Sequence, residues 1–200
     1  MKKTIAILLA LTVLASAFAQ GSSESTKAPE TTVANGPSSI SVCIASEPDT
    51  IDPALNSAVD GATLTAHLFS GLSKWAQNAS GNLVIVPDVA TALTEGVENE
   101  DGTITYTYTL RDMKWSDGKP VTAGDFEFAW KRAASTELGA DYGYMFDVIK
   151  GYPDDLEVEA KDDKTLVVTL NNYVAYWNEL LAFPAYYPVR EDVVSNESWA

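Results

Sequence analysis

The 200-residue chain has one cysteine, one histidine, three methionines and 13 basic residues against 28 acidic ones. One cysteine cannot form an internal disulfide, so packing has to supply the stability. A single Cys with a single His cannot fill a common structural zinc site. The formal net charge of −15 argues against nucleic acid or an anionic membrane surface as a partner. It does not call for a cationic ligand either, because acidic surfaces commonly serve solubility. The chain has no G-x-S-x-G elbow, no G-x-x-x-x-G-K-[ST] phosphate loop, no H-E-x-x-H helix and no internal repeat. NEDG at 99–102 lacks the alternating oxygen ligands and closing Glu of a calcium loop. We therefore expect no metal and no cofactor. Long apolar runs are also scarce. The run at 5–14 follows Lys2 and Lys3 and precedes Ala17-Phe18-Ala19. It is shorter than the roughly 20 residues of a membrane span and reads as a secretory signal peptide cleaved after Ala19.

Residues 20–38, rich in Ser, Thr, Pro, Gly and Ala without apolar period, read as a flexible linker. The remaining ~160 residues suffice for a domain with a real core. In SISVCIA at 39–45, Ile40, Val42 and Ile44 alternate with Ser41, Cys43 and Ala45, which predicts a strand with a buried thiol. That placement argues against a Cys43/His67 nucleophile pair, which would need both groups in an open cleft. Leu64, Leu68 and Leu72 predict a helix over 62–72 with Asp60 as its N-cap. A short strand at 83–86, a brief helix at 88–93 and a hairpin turning at 99–102 follow. Later, 156–160 and 165–170 alternate well and form a second hairpin. Between the hairpins, 135–153 reads as a loop or mixed region. Tyr173, Tyr176, Trp177, Leu180 and Leu181 form a helical stripe over 173–181, read as core, and 183–188 reads as extended.

The densest signals lie at 110–130, LRDMKWSDGKPVTAGDFEFAW. A β-rich run at 103–110 enters it, and Asp117-Gly118 supplies a turn that tolerates positive φ. Thr122 is a candidate N-cap with Asp125 three residues on. Phe126, Ala129, Trp130 and Ala133 then mark one helix face.

Three blocks in order carry a family resemblance: SEPDTIDP at 46–53, HLFSGL at 67–72, and a third from VPDVATAL at 86–93 through TYTYTLRDMKWSDGKPVTAGDFEFAWKR at 105–132. Through them the chain resembles the solute-binding proteins of peptide ABC transporters, the oligopeptide- and dipeptide-binding proteins of extracellular solute-binding family 5. The resemblance implies a mixed α/β, periplasmic-binding-protein-like two-lobe fold of which this chain holds the N-terminal part. Residues 39–69 would begin lobe I, and 70–200 would form an accessory lobe incomplete at its C-terminus. It also implies a monomeric, non-enzymatic periplasmic or secreted receptor that captures oligopeptides or dipeptides and delivers them to a membrane permease. The lipidated cysteine that ends many relatives' signal peptides has no counterpart here.

For ligand contact the resemblance points to Ser57, Ala58 and Val59, and to Tyr142 beside Tyr144. Read as residues alone, Ser57 to Val59 are equally a plain loop, and Tyr142 is equally a packing or surface aromatic. Relatives also bind nickel, haem, opines or sugars, so the solute stays open among these. From other classes, a secreted hydrolase would use Glu47, Asp49 and Asp52, and a structural or adhesive surface domain would not close on a ligand.

Overall fold

In the computed structural model, which describes residues 39–44, 46–196 and 199, the chain divides into two units, Met1–Val42 and Cys43–Ala200. The expected signal peptide and linker lie outside the described residues. All regular elements among the described residues belong to the second unit. They are helix α1 (Val59–Leu68), strands β1 (Ser73–Gln77), β2 (Leu83–Pro87), β3 (Val97–Glu98) and β4 (Ile104–Thr109), and helix α2 (Ala123–Ala134). A 3-10 turn (Gly143–Val148), strands β5 (Val158–Asp162) and β6 (Thr165–Leu170), short helix α3 (Trp177–Leu180), a second 3-10 turn (Pro184–Tyr186) and short helix α4 (Glu191–Val194) complete the series.

Four strands form an antiparallel sheet in the order β3-β4-β6-β5, while β1 and β2 make a separate two-stranded ribbon. In β4 the alternation works as the sequence predicts. Ile104, Tyr106 and Tyr108 turn inward opposite Leu170, Val168 and Leu166 of β6, all buried. Helix α2 lies against β5 and β6 through Phe126, Ala129, Trp130 and Ala133, the predicted face. Trp130 is fully buried, and its ring meets Tyr186 edge-on at 5.2 Å and Trp177 at 6.1 Å. Phe146 stacks on Tyr186 at 4.2 Å. Buried indoles keep their polar N–H partnered: Trp130 Nε1 donates to the Tyr186 carbonyl at 2.8 Å and Trp177 Nε1 to the Tyr108 hydroxyl at 2.9 Å. Burial pushes the hydroxyls of Tyr108 and Tyr186 well above the usual tyrosine range.

The entry to α2 is a capping box. The Thr122 side chain accepts from Asp125 N, and Asp125 Oδ2 accepts from Thr122 N at 2.8 Å. Asp125 also accepts from Trp115 Nε1 at 3.2 Å, tying the cap to the preceding turn, where Gly118 has φ +89°. Thr122→Ala is expected to lower stability by about 1 kcal/mol. Urea unfolding of the full-length protein alongside Thr122→Ser, which keeps the acceptor, checks this.

Several expectations are corrected. Residues 39–44 form no strand and Cys43 is exposed; Ala45 lies outside the described residues. An alternating run becomes a strand only beside a partner ladder, and no described strand pairs with it. The helix expected at 62–72 runs instead over Val59–Leu68, and its buried side is Gly61 and Thr65, with Leu68 exposed. Leu72 is buried, but beyond the helix. Asp60 does not cap: it sits in the first turn, accepts from the Ser46 hydroxyl and Gly61 N, and these bonds hold its carboxyl below the usual range. The brief helix at 88–93 is absent, replaced by an extended bridge from Ala90 to Leu110. Of the helix expected at 173–181 only Trp177–Leu180 forms. Trp177 and Leu181 are core, but Tyr173 and Tyr176 are exposed. The extended reading of 183–188 is interrupted by the 3-10 turn at Pro184–Tyr186.

Candidate functional site

The acidic cluster that a hydrolase would require is committed to structure at Asp52. This residue is 1% exposed, and Arg132 of α2 donates to both its oxygens, Nη2 to Oδ2 at 2.6 Å and Nη1 to Oδ1 at 3.2 Å. Asp52 Oδ1 also accepts from Ala54 N at 2.9 Å. With both oxygens engaged by a guanidinium, the carboxylate anchors the loop before α1 and is in no position to act as a base. Glu47 is exposed.

That anchored loop delivers Ser57, Ala58 and Val59 to the surface, all three exposed, Val59 at 85%. Ala58 occupies the N-cap position and makes no side-chain cap bond; in the first turn of α1 the Gly61 N–H is met instead by Asp60 Oδ1 at 2.8 Å. The loop is held closely from behind. A Cβ on Gly61 would lie 1.9 Å from Asn56 Oδ1 and 2.8 Å from the Thr50 carbonyl. Asn56 in turn donates to the Ala58 carbonyl at 3.0 Å. Alanine ordinarily stabilises a helix position over glycine by up to about 1 kcal/mol. Here Gly61→Ala is expected to lower the thermal midpoint and loosen residues 56–59, read as faster amide exchange there.

Val59 lines a groove of about 650 Å3 running between α1, β1 and the segment around Pro184. One wall is aromatic: Trp75 of β1, 52% exposed, and Tyr187, whose hydroxyl donates to the Ala182 carbonyl at 3.1 Å. Burial raises the Tyr187 hydroxyl above its usual range, with the charge of Asp88 adding to it. At the charged end, Lys74 Nζ and Arg111 Nη2 both reach Asp88 Oδ1, at 3.1 and 3.2 Å. His67 holds its Nδ1 2.7 Å from the Thr63 carbonyl, so Nδ1 is the donor and Nε2 stays free of that bond. The arrangement combines an exposed turn, an apolar and aromatic wall and fixed charges at one end. It can hold an extended polar chain carrying side chains of its own.

Of the expected contact residues, only Val59 lines this groove, with Ser57 and Ala58 preceding it on the exposed loop. Tyr142 does not line it. Its half-buried ring packs edge-on against Phe183 at 5.0 Å and beside Tyr144 at 6.4 Å. Phe183 lies between Ala182 and Pro184, which do line the groove, so Tyr142 supports that wall from behind one residue. Trp75, Tyr187 and the Lys74–Asp88 pair were not singled out from sequence, and His67 was weighed only as a nucleophile partner of Cys43. The missed signal was the run SKWAQNASGNLVIV at 73–86, in which a polar turn with Gly81 at φ +82° separates two short strands.

The model for bacterial extracellular solute-binding proteins, family 5 Middle, matches residues 84–200. The oligopeptide-binding protein OppA of Bacillus subtilis is 38% identical over 176 residues, covering 82% of this chain and 31% of that protein. The dipeptide-binding protein DppE of the same organism is 43% identical over 106 residues, 48% of this chain and 20% of its own length. Among solved structures, Listeria monocytogenes OppA bound to peptide superposes with a TM-score of 0.63 at 34% identity, over 75% of this chain and 30% of that one. The murein tripeptide binding protein MppA of Escherichia coli gives 0.63 at 32%, over 77% and 31%. The chain thus spans about 30% of the length of the Bacillus subtilis and Listeria monocytogenes proteins.

Proposed function

The chain belongs to the bacterial extracellular solute-binding proteins of family 5, and on that premise we propose that it is part of an extracytoplasmic receptor that captures oligopeptides or dipeptides and hands them to an ABC permease. The observation that carries this reading is the exposed turn Ser57 to Val59, held from behind by Asn56 and opening at Val59 onto the groove beside Trp75. The main chain of Ser57 and the Val59 N–H pair with the peptide main chain, giving affinity that does not depend on peptide sequence, and the groove receives a side chain. Tyr142 supports the site indirectly, packing against Phe183 beside the groove wall. The remainder of the protein supplies the opposing lobe, and the two lobes close on the ligand by hinge motion. Capture proceeds without chemical conversion of the peptide. The work of transport falls to the permease and its ATPase.

Calorimetry on the full-length protein, unfolded and refolded to remove bound ligand, tests this. Dipeptides to pentapeptides of mixed sequence are expected to give saturable one-to-one binding with little dependence on side chains. Absence of heat with every peptide, with a saturable response to a sugar, opine, haem or nickel instead, would contradict the peptide reading while leaving the family membership intact.

A further inference from the structure

A second cavity, of about 640 Å3, shares no lining residue with the groove at Val59. It lies between the β3–β4 end of the sheet and residues 173–178. Its accessible aromatic surface is Tyr173, 71% exposed, set beside the buried rings of Tyr106 and Trp177, whose centroids are 5.9 Å apart. The floor is rigid. A Cβ on Gly96 would meet Ile104 Cγ2 at 2.2 Å and the Tyr106 ring at 2.7 Å, so the backbone presses directly on the ring.

Within this lining Asn178 Oδ1 is buried and has no hydrogen-bond partner among the described residues. A buried amide oxygen is normally paired, and leaving it unpaired is costly. Its residue is held in place, because the Asn178 carbonyl accepts from Ser73 Oγ at 2.7 Å. The Trp177 N–H cannot serve the cavity, since it is spent on Tyr108. Glu95 and Glu98 stand at the rim, and no Lys or Arg lines the cavity. Lys150, beside the neighbouring turn, is already engaged by Glu157 at 3.1 Å and Asp101 at 3.8 Å. An aromatic face, an unpaired amide oxygen and two carboxylates together attract a positive group that carries N–H donors.

We propose that this cavity binds a small organic cation, a primary alkylammonium or guanidinium group, with an N–H on Asn178 Oδ1 and its charge over the face of Tyr173. The site is independent of the peptide groove and does not rest on the peptide reading. Saturation-transfer NMR on the full-length protein tests it, with n-butylammonium and n-butylguanidinium as probes and n-butanol as the neutral control. At least one cation is expected to give a saturable signal well above that of butanol. That signal should weaken at least about fivefold in Tyr173→Ala, the expected scale for loss of a cation–aromatic contact, and comparably in Asn178→Leu. Peptide affinity should be unchanged in both. Equal signals from cations and butanol, or cation signals indifferent to Tyr173→Ala, would overturn the proposal. Tyr173 is exposed, so its variant keeps the test valid should Asn178→Leu lower the thermal midpoint.

Discussion

Asp52→Ala is expected to destabilise the protein by roughly 3–5 kcal/mol, the usual scale for removing one partner of a buried ion pair. The substitution leaves the Arg132 guanidinium, only 16% exposed, without its carboxylate and strips Ala54 N of its acceptor. Asp52→Asn should cost less, since an amide oxygen can still serve Ala54 N. Combining Asp52→Ala with Arg132→Met should recover part of the loss, because no unpaired charge then remains buried. The consequence extends to the site, because Asp52 fixes the loop that carries Ser57 to Val59. Peptide affinity should therefore fall with stability in Asp52→Ala and return partly in the double variant. Urea unfolding of the three proteins decides it. A loss below about 0.5 kcal/mol, the level of an ordinary surface substitution, would contradict the anchoring role.

Trp130→Ala should cost a further-reaching ~3–5 kcal/mol. The indole is fully buried and touches Phe126, Phe146, Trp177 and Tyr186. Trp130→Phe separates packing from hydrogen bonding: it keeps most of the ring and abandons the Tyr186 carbonyl, at an expected cost of about 1–3 kcal/mol. The Tyr186 carbonyl belongs to the segment that forms the groove wall through Ala182, Pro184 and Tyr187. Trp130→Phe should consequently weaken peptide binding more than its stability loss alone accounts for. Chemical denaturation paired with peptide titration separates the two effects.

Legibility followed the strength of the local pattern more than the distance to the partner: β4 was read although β6 lies far along the chain, and β1 was missed although β2 lies close by. The α2 capping box, the Asp117-Gly118 turn and the hairpin β5–β6 are encoded within a few residues, and each appears where the pattern places it. Residues 39–44 alternate as well as β4 does, yet only β4 has β6 beside it to complete its hydrogen bonds. The leucine spacing at 64, 68 and 72 misled because α1 packs by its small residues, Gly61 and Thr65, with Thr65 Oγ1 bonded back to the Gly61 carbonyl at 2.8 Å. An aromatic stripe says what is apolar without saying what covers it. Trp177 found the core, whereas Tyr173 and Tyr176 did not. At the site, the position of Val59 came from resemblance rather than from local pattern. Trp75, 16 residues on, and Tyr187, 128 residues on, converge on it only through the fold.

The most direct measurement is hydrogen–deuterium exchange of the full-length, ligand-free protein with and without a saturating tripeptide. The account predicts slowed amide exchange at residues 57–60 and around Trp75, with a smaller effect near Tyr142. Saturable peptide binding that leaves exchange at residues 57–60 unchanged would place the ligand elsewhere and contradict the site. Failure of any peptide to alter exchange anywhere in the protein would contradict peptide capture itself.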